Sequence, residues 1–211
     1  MKLNHKKSLR MATVGLLAIA SLNSCTDLSE NLYSTLEKDR FYKNKLEVAQ
    51  AALRPFTHMQ AWLAPTGNNG YYYHSELSAD QVAWPQKGRH GYDGGDHIRQ
   101  HYHTWTSNEN RLRNVWTLMW GGVGYVNNAI SDIERLDVAL IQDLTAEERD
   151  VIVAQLKVLR AFHYIKIMDL WGNVPIATKV ADPINPETKS RSEVFDFILQ
   201  ELQENVEKLP L

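Results

Sequence analysis

The sequence predicts a mainly α-helical fold, and two observations support that prediction. After residue 43, apolar residues recur every three or four positions along most of the chain, which is the spacing of one face of an α-helix. Capping boxes, in which Ser, Thr or Asn is followed three residues later by Glu, stand before these runs. Strictly alternating strand patterns are almost absent. With 44% hydrophobic and 23% charged residues, the chain has the composition of a folded domain.

Four long helices are expected. The first begins at Asn44 and should kink or split at Pro55, because proline lacks an N–H and its ring crowds the preceding turn. The other three begin at capping boxes that open at Thr106, Thr145 and Ser190. Paired helices of this length suit a tetratricopeptide-like stack, although the spacing shows no clean repeat period.

Two of these helices carry further expectations. Glycines 121, 122 and 124 interrupt the second helix at a cost of about 1 kcal/mol each relative to alanine, which predicts a neighbouring backbone in close approach. The third helix should stop at Gly172. The fourth is expected to bury one apolar face, formed by Phe195, Ile198, Leu202, Val206 and Leu209.

Residues 64–104 lack helical periodicity and predict a long irregular excursion. This stretch holds six of the eleven glycines, five of the eight histidines and five of the nine tyrosines, so polar and aromatic groups are concentrated in one segment. Because structureless loops of this length inside a compact domain are usually functional, a binding site is expected here.

The first 24 residues read as a lipoprotein signal peptide. A basic opening precedes an apolar run, residues 11–22, which is too short to span a bilayer. Leu22-Asn23-Ser24-Cys25 then resembles a lipobox, so Cys25, the only cysteine, is expected to carry an acyl anchor such as palmitate. Residues 25–43 would form the lipidated tether. The alternative is an ordinary secretory signal with a chance cysteine.

Composition and motifs weigh against several functions. A formal net charge of −2 gives no basic excess for binding nucleic acid. His97, His101 and His103 have a spacing that would suit zinc, but neither a cysteine nor a glutamate accompanies them, so no metal is predicted. A glycoside hydrolase needs two carboxylates across a cleft, for which only acidic residues of a polar loop, such as Glu76 and Asp80, are present.

The excursion does supply the side chains that bind sugars. Aromatic faces stack on the apolar side of a sugar ring, and planar polar groups hold its hydroxyls. Trp105, next to a helix start, is expected to pack instead. The predicted ligand-binding residues are Trp84 and Tyr92 for stacking, with Asp80, Gln81, Arg89 and Asp93 for hydrogen bonds.

Three stretches together resemble the SusD/RagB family of outer-membrane nutrient-binding lipoproteins. Residues 159–176 contain an Arg-Ala-Phe helix, an aromatic-Gly turn and a Val-Pro extension similar to the family signature. Residues 191–210 resemble the family's next helix, and residues 76–105 resemble the excursion of one large subgroup. The lipoprotein signal fits the same pattern.

The resemblance implies a surface-exposed lipoprotein of a Bacteroidetes-type bacterium that binds oligosaccharides for uptake through a TonB-dependent, SusC-like transporter. It implies neither catalysis nor an organic cofactor. Family members are longer, so residues 44–211 are expected to be an incomplete N-terminal SusD-like helical domain. Two alternatives stay open: a helical adaptor that docks on the transporter without touching sugar, and a surface glycosidase using Glu76 or Asp80.

Overall fold

The computed structural model of the protein describes residues 41–63 and 70–210. The signal peptide, Cys25 and the tether up to residue 40 lie outside the described residues. The α-helices are α1 (Lys45–Leu63), α2 (Tyr71–Ser78), α3 (Asp96–His101), α4 (Asn110–Glu134), α5 (Ala146–Trp171) and α6 (Arg191–Asn205). Single 3-10 turns cover Asp93–Gly95, Val138–Leu140 and Val206–Lys208. Strands β1 (Val174–Pro175) and β2 (Thr188–Lys189) pair antiparallel. None of these helices is both long and apolar enough to cross a bilayer.

The long helices pack in sequence order. α1 lies against α4, α4 against α5, and α5 against α6. One core forms around Trp62, Met119 and Tyr164, and a second forms around Val48, Ile133 and Leu156 where α1, α4 and α5 meet. The predicted mainly α fold with stacked helical pairs is confirmed.

Local capping signals place the starts of α5 and α6 correctly. The side chains of Thr145 and Ser190 each accept a hydrogen bond from the N3 backbone, and Glu148 and Glu193 complete the two boxes. Gly172, with a φ of 72°, ends α5 as predicted. These motifs depend on four neighbouring residues, so the sequence alone determines them.

The prediction that Pro55 splits the first helix is wrong. α1 begins after Asn44, whose side-chain oxygen accepts a hydrogen bond from the Glu47 N–H at 3.0 Å, and it continues through Pro55 to Leu63. An interior proline costs roughly 3 kcal/mol. Burial of Val48 before the proline and Trp62 after it, in the two cores, offsets that cost.

The capping box predicted at Thr106 is wrong as well. α4 begins four residues later, at Asn110, with Glu109 as its N-cap and no side-chain capping bond. The Glu109 carboxylate instead accepts two hydrogen bonds from Arg99, at 2.5 and 2.8 Å. A charge-assisted bidentate pair is stronger than a neutral capping bond, so the tertiary contact prevails.

The excursion is less irregular than predicted, because α2 and α3 lie within it. Both helices bury polar side chains: α2 buries His74 with Leu77, and α3 buries His97 with Gln100. An apolar-periodicity search does not register such helices. The irregular part described between them covers residues 79–92.

A side chain, and not a neighbouring backbone, makes the close approach to the glycines of α4. A Cβ built on Gly122 would lie 2.7 Å from Cδ2 of the buried His163 and closer still to its Nε2. At Gly124 such a Cβ would meet nothing within 4 Å. Only Gly122 is therefore required by packing.

The buried face of α6 differs from the predicted one. Phe195 is 53% exposed and Val206 is also exposed, whereas Glu201 and Asn205 are buried beside Val194 and Ile198. The rotation has a specific cause, described next.

Arg160 of α5 lies at the centre of a buried polar network. Its guanidinium donates to both carboxylate oxygens of Glu201, at 2.8 and 2.9 Å, and to Asn127 and the Thr178 carbonyl at 2.9 Å each. The network ties α4, α5, α6 and the segment after β1 together. Because a buried charge needs its partner, α6 turns Glu201 inward and leaves apolar residues outside.

Candidate functional site

The candidate site is a cleft beside the pair of short helices α2 and α3. The two helices are held together by side chains of opposite elements: the Nδ1–H of His74 donates to Gln100 at 3.3 Å, and the Gln100 amide donates to the His74 carbonyl at 3.5 Å. His103 Nε2 donates to the Ser78 carbonyl at 2.7 Å, which ties the ends of both helices. This pair is the frame on which the intervening loop is mounted.

The cleft, hereafter the Trp84 cleft, has a volume of about 390 Å³ and is lined by Ala83, Trp84, Pro85, Lys87, His90, Gly91 and Asp93. A tight turn closes one side of it, because the backbones of Lys87 and His90 exchange hydrogen bonds of 2.8 and 3.0 Å. Gly91, with a φ of 78°, is required here. A Cβ at this position would lie 3.0 Å from the Pro85 carbonyl oxygen and 3.3 Å from the indole nitrogen of Trp84.

Trp84 presents an indole face supported from below. Its ring stacks on the imidazole of His97, with centroids 4.7 Å apart and planes only 7° from parallel. His97 is fully buried, whereas Trp84 remains 43% exposed. The indole is therefore held flat against a buried ring, which leaves it available as a platform for a ligand.

His97 is itself oriented by partners at both ring nitrogens. Its Nε2–H donates to the Asp93 carboxylate at 3.1 Å, and its Nδ1 accepts from the Tyr73 hydroxyl. Burial raises the pKa of Tyr73 above its usual value, so this hydroxyl stays protonated and able to donate. Tyr73, His97 and Asp93 thus fix the ring on which Trp84 rests.

Charged residues hold the backbone turn that carries Asp93. Arg99 donates to Asp96 at 2.5 Å and to the Gly94 carbonyl at 2.9 Å, in addition to its pair with Glu109. The Arg99 guanidinium lowers the pKa of the Glu109 carboxyl. Arg111 also donates to Asp96, at 3.2 Å. The left-handed conformations of Asp93 and Gly94 are thereby held in place.

The structure brings two of the six predicted ligand residues into one cleft. Trp84 and Asp93 line it. Tyr92 is exposed next to it, with its ring against Gly95. The remaining three, Asp80, Gln81 and Arg89, are exposed but do not line the cleft.

Sequence reasoning missed Lys87, His90 and His97 as parts of this site. Lys87 and His90 line the cleft through a turn closed by backbone hydrogen bonds, which no side-chain pattern reports. His97 was considered only as a metal ligand. Within the described ranges no group of His, Cys, Asp and Glu side chains could hold a metal ion, since His97, His101 and His103 do not converge. The aromatic residue Trp105, expected to pack, is 38% exposed and lines a different cleft, described below.

Comparison with known proteins yields a family match and several similar structures. Residues 86–210 match the SusD-like family model described as "Starch-binding associating with outer membrane". No curated protein sequence matches significantly.

Solved structures share the fold at low sequence identity. A laminarin-binding SusD-like protein aligns with a TM-score of 0.65 and 22% identity, over 80% of this chain and 35% of its own. A SusD-superfamily protein from Bacteroides thetaiotaomicron gives a TM-score of 0.66 and 20% identity, covering 80% and 36%. Surface glycan-binding protein A from Bacteroides uniformis gives 0.64 and 19%, covering 79% and 35%. The chain spans about a third of the length of these structures.

Proposed function

This chain belongs to the SusD-like family, and from that premise we propose that it binds oligosaccharide at the Trp84 cleft for uptake across the outer membrane. The observation that carries the proposal is the Trp84 indole, half-exposed on one face and stacked on buried His97 on the other. A flat, supported aromatic face is what the apolar side of a sugar ring stacks on.

The polar residues of the cleft suit a neutral sugar. Lys87 donates hydrogen bonds, the Asp93 carboxylate accepts them, and His90 can do either according to its tautomer. Asp93 already accepts one bond from His97, and a carboxylate has about four acceptor positions, so it retains capacity for a hydroxyl. One acid and one base in the cleft favour a polar but uncharged ligand.

The rigidity of the platform would favour affinity. A ring that is already oriented loses little conformational freedom when a ligand binds, so less of the stacking energy is spent on ordering. Tyr73, His97 and Asp93 supply that order from buried or partly buried positions.

The membrane and transporter parts of the proposal rest on the sequence and on family membership. Cys25 would carry the lipid anchor at the outer membrane, residues 25–43 would act as the tether, and the helical domain from residue 44 would face the exterior. The bound sugar would then pass to a TonB-dependent transporter. The family's description as associating with the outer membrane supports this location.

The cleft gives no support to hydrolysis. A glycoside hydrolase places two carboxylates across the scissile bond. Among the residues that line the Trp84 cleft, Asp93 is the one carboxylate, and it is engaged with His97. Glu76 and Asp80 do not line the cleft. We therefore propose a binding protein and not an enzyme.

The test is calorimetric titration of the purified full chain with starch and laminarin oligosaccharides. Trp84→Ala should weaken binding roughly tenfold or more, because an exposed indole contributes at least the 1.4 kcal/mol that corresponds to a factor of ten. Tyr102→Ala is the matched control, since Tyr102 is an exposed aromatic residue outside the cleft.

Circular dichroism establishes that each variant is folded. A folded Trp84→Ala protein that keeps the native affinity would contradict the assignment of the site. A folded native chain that binds none of the oligosaccharides would favour the adaptor alternative, and release of reducing ends would favour the glycosidase.

A further inference from the structure

A second cavity, of about 640 Å³, lies on the opposite face of α2 from the Trp84 cleft. Tyr73 points to His97 and the Trp84 cleft, whereas Ser75 and Ser78 line the second cavity. Residues two and five positions further along a helix lie roughly 140–200° around its axis, so the two cavities are separated by the helix itself. We call the second one the tryptophan cleft.

Three indoles from three elements form its apolar wall. Trp105 precedes α4, Trp116 lies in α4, and Trp171 ends α5. Trp116 and Trp171 meet edge to face, with centroids 5.0 Å apart and planes at 84°. Trp105 is 38% exposed. Because Trp116 and Trp171 hold one another at right angles, the wall has a defined shape before any ligand arrives.

Charged groups of both signs complete the cleft. The Asp169 carboxylate accepts a hydrogen bond from the Tyr71 hydroxyl through Oδ2, at 2.5 Å. Lys166 lies 4.1 Å from the centroid of the Tyr71 ring, which helps to hold Tyr71 and so the carboxylate. Arg113 has five N–H donors, of which one contacts Asn110 at 2.5 Å in the part of the chain that is described. Both charged groups are exposed and line the cavity.

These groups define the chemical class of the ligand. An anion would be repelled by Asp169, and a cation would be repelled by Arg113, so a neutral ligand is favoured. A purely apolar ligand would cover both charges without compensating them. A neutral ring with an apolar face and several hydroxyls satisfies all three elements, since its hydroxyls donate to Asp169 and accept from Arg113 while its face lies on an indole.

We propose that the tryptophan cleft is a second binding site for neutral oligosaccharide, independent of the Trp84 cleft. Its volume lies within the range of roughly 300–1,000 Å³ typical of ligand sites. The choice of sugar as the ligand class rests on the proposed function, whereas the cleft and its charges do not.

The experiment labels the full chain with 5-fluorotryptophan and follows the fluorine NMR signals of its six tryptophans during titration with oligosaccharides. Signals are assigned by single Trp→Phe substitutions. Movement of the Trp105, Trp116 and Trp171 signals with one saturation curve is expected. In Asp169→Asn, those signals should need at least fivefold more sugar to saturate, while the Trp84 signal keeps its original curve.

Each outcome separates the two proposals. If only the Trp84 signal moves, the second site is refuted and the first site stands. If the signals of the tryptophan cleft move alone, the second site stands and the Trp84 cleft is refuted. If neither group moves in a folded protein, both are refuted. If Asp169→Asn shifts all curves equally, the sites are not independent and the proposal fails.

Discussion

Gly122 of α4 offers the sharpest test of how the helices pack. Replacing it by alanine would place a Cβ 2.7 Å from Cδ2 of His163, about 1 Å inside normal contact. His163 has no room to withdraw, because it is fully buried, its Nδ1–H donates to the Leu159 carbonyl at 2.9 Å, and its ring lies 5.0 Å from that of Trp62. Either the ring or α4 must move.

The magnitude follows from two opposed effects. Overpacking a close-packed core costs about 1–3 kcal/mol. Alanine in place of glycine within a helix gains about 1 kcal/mol. Gly124→Ala in the same helix makes the same gain, but its Cβ would meet nothing within 4 Å. The propensity gain therefore cancels between the two variants, and Gly122→Ala should be less stable than Gly124→Ala by about 1–3 kcal/mol.

Thermal unfolding followed by circular dichroism measures this difference. For a chain of this size, 1 kcal/mol moves the Tm by roughly 2–4 °C. Equal stability of the two variants would refute the packing argument. The double variant Gly122→Ala/His163→Ala supplies a second check, because it should recover part of the loss if the clash is with His163.

Two further predictions concern the buried polar groups. Arg160→Met leaves Glu201 buried without its partner and should lower the free energy of unfolding by about 3–5 kcal/mol in urea denaturation, whereas Lys189→Met, at an exposed ion pair, should change it by less than about 1 kcal/mol; similar losses would contradict the network. Burial lowers the pKa of His163 to about 4, so above pH 6.5 the ring is neutral in both states and stability is complete. As the pH falls from 6.5 to 4, the unfolded chain takes up a proton that the native state does not, and the free energy of unfolding should fall by up to roughly 3 kcal/mol. Urea titrations across this range measure the slope, and His163→Gln should flatten it; an unchanged slope would show that another group is responsible.

Much of the fold could be predicted from the sequence because it depends on short-range signals. The boxes at Thr145 and Ser190 and the stop at Gly172 each involve a few neighbouring residues, and all three are confirmed. The predictions failed where a distant residue competes. Glu109 leaves its capping role for Arg99, and Glu201 turns inward to Arg160.

The candidate site was predictable in composition but not in geometry. The sequence pointed to the right segment, and the structure places Trp84 and Asp93 in one cleft; that they bind sugar stays a prediction. The supporting role of His97 was not readable, because a buried histidine and a metal-binding one look alike in sequence.

The sequence by itself determined the mainly α character, two of the long-helix starts and the segment that carries the cleft. Only the tertiary structure decided which aromatic rings are supported and exposed. Trp84 is a platform because His97, thirteen positions away and on another element, lies beneath it. Trp105, Trp116 and Trp171 form one wall because α4 and α5 pack side by side. Such groupings depend on contacts between residues far apart in the chain, and no local pattern encodes them.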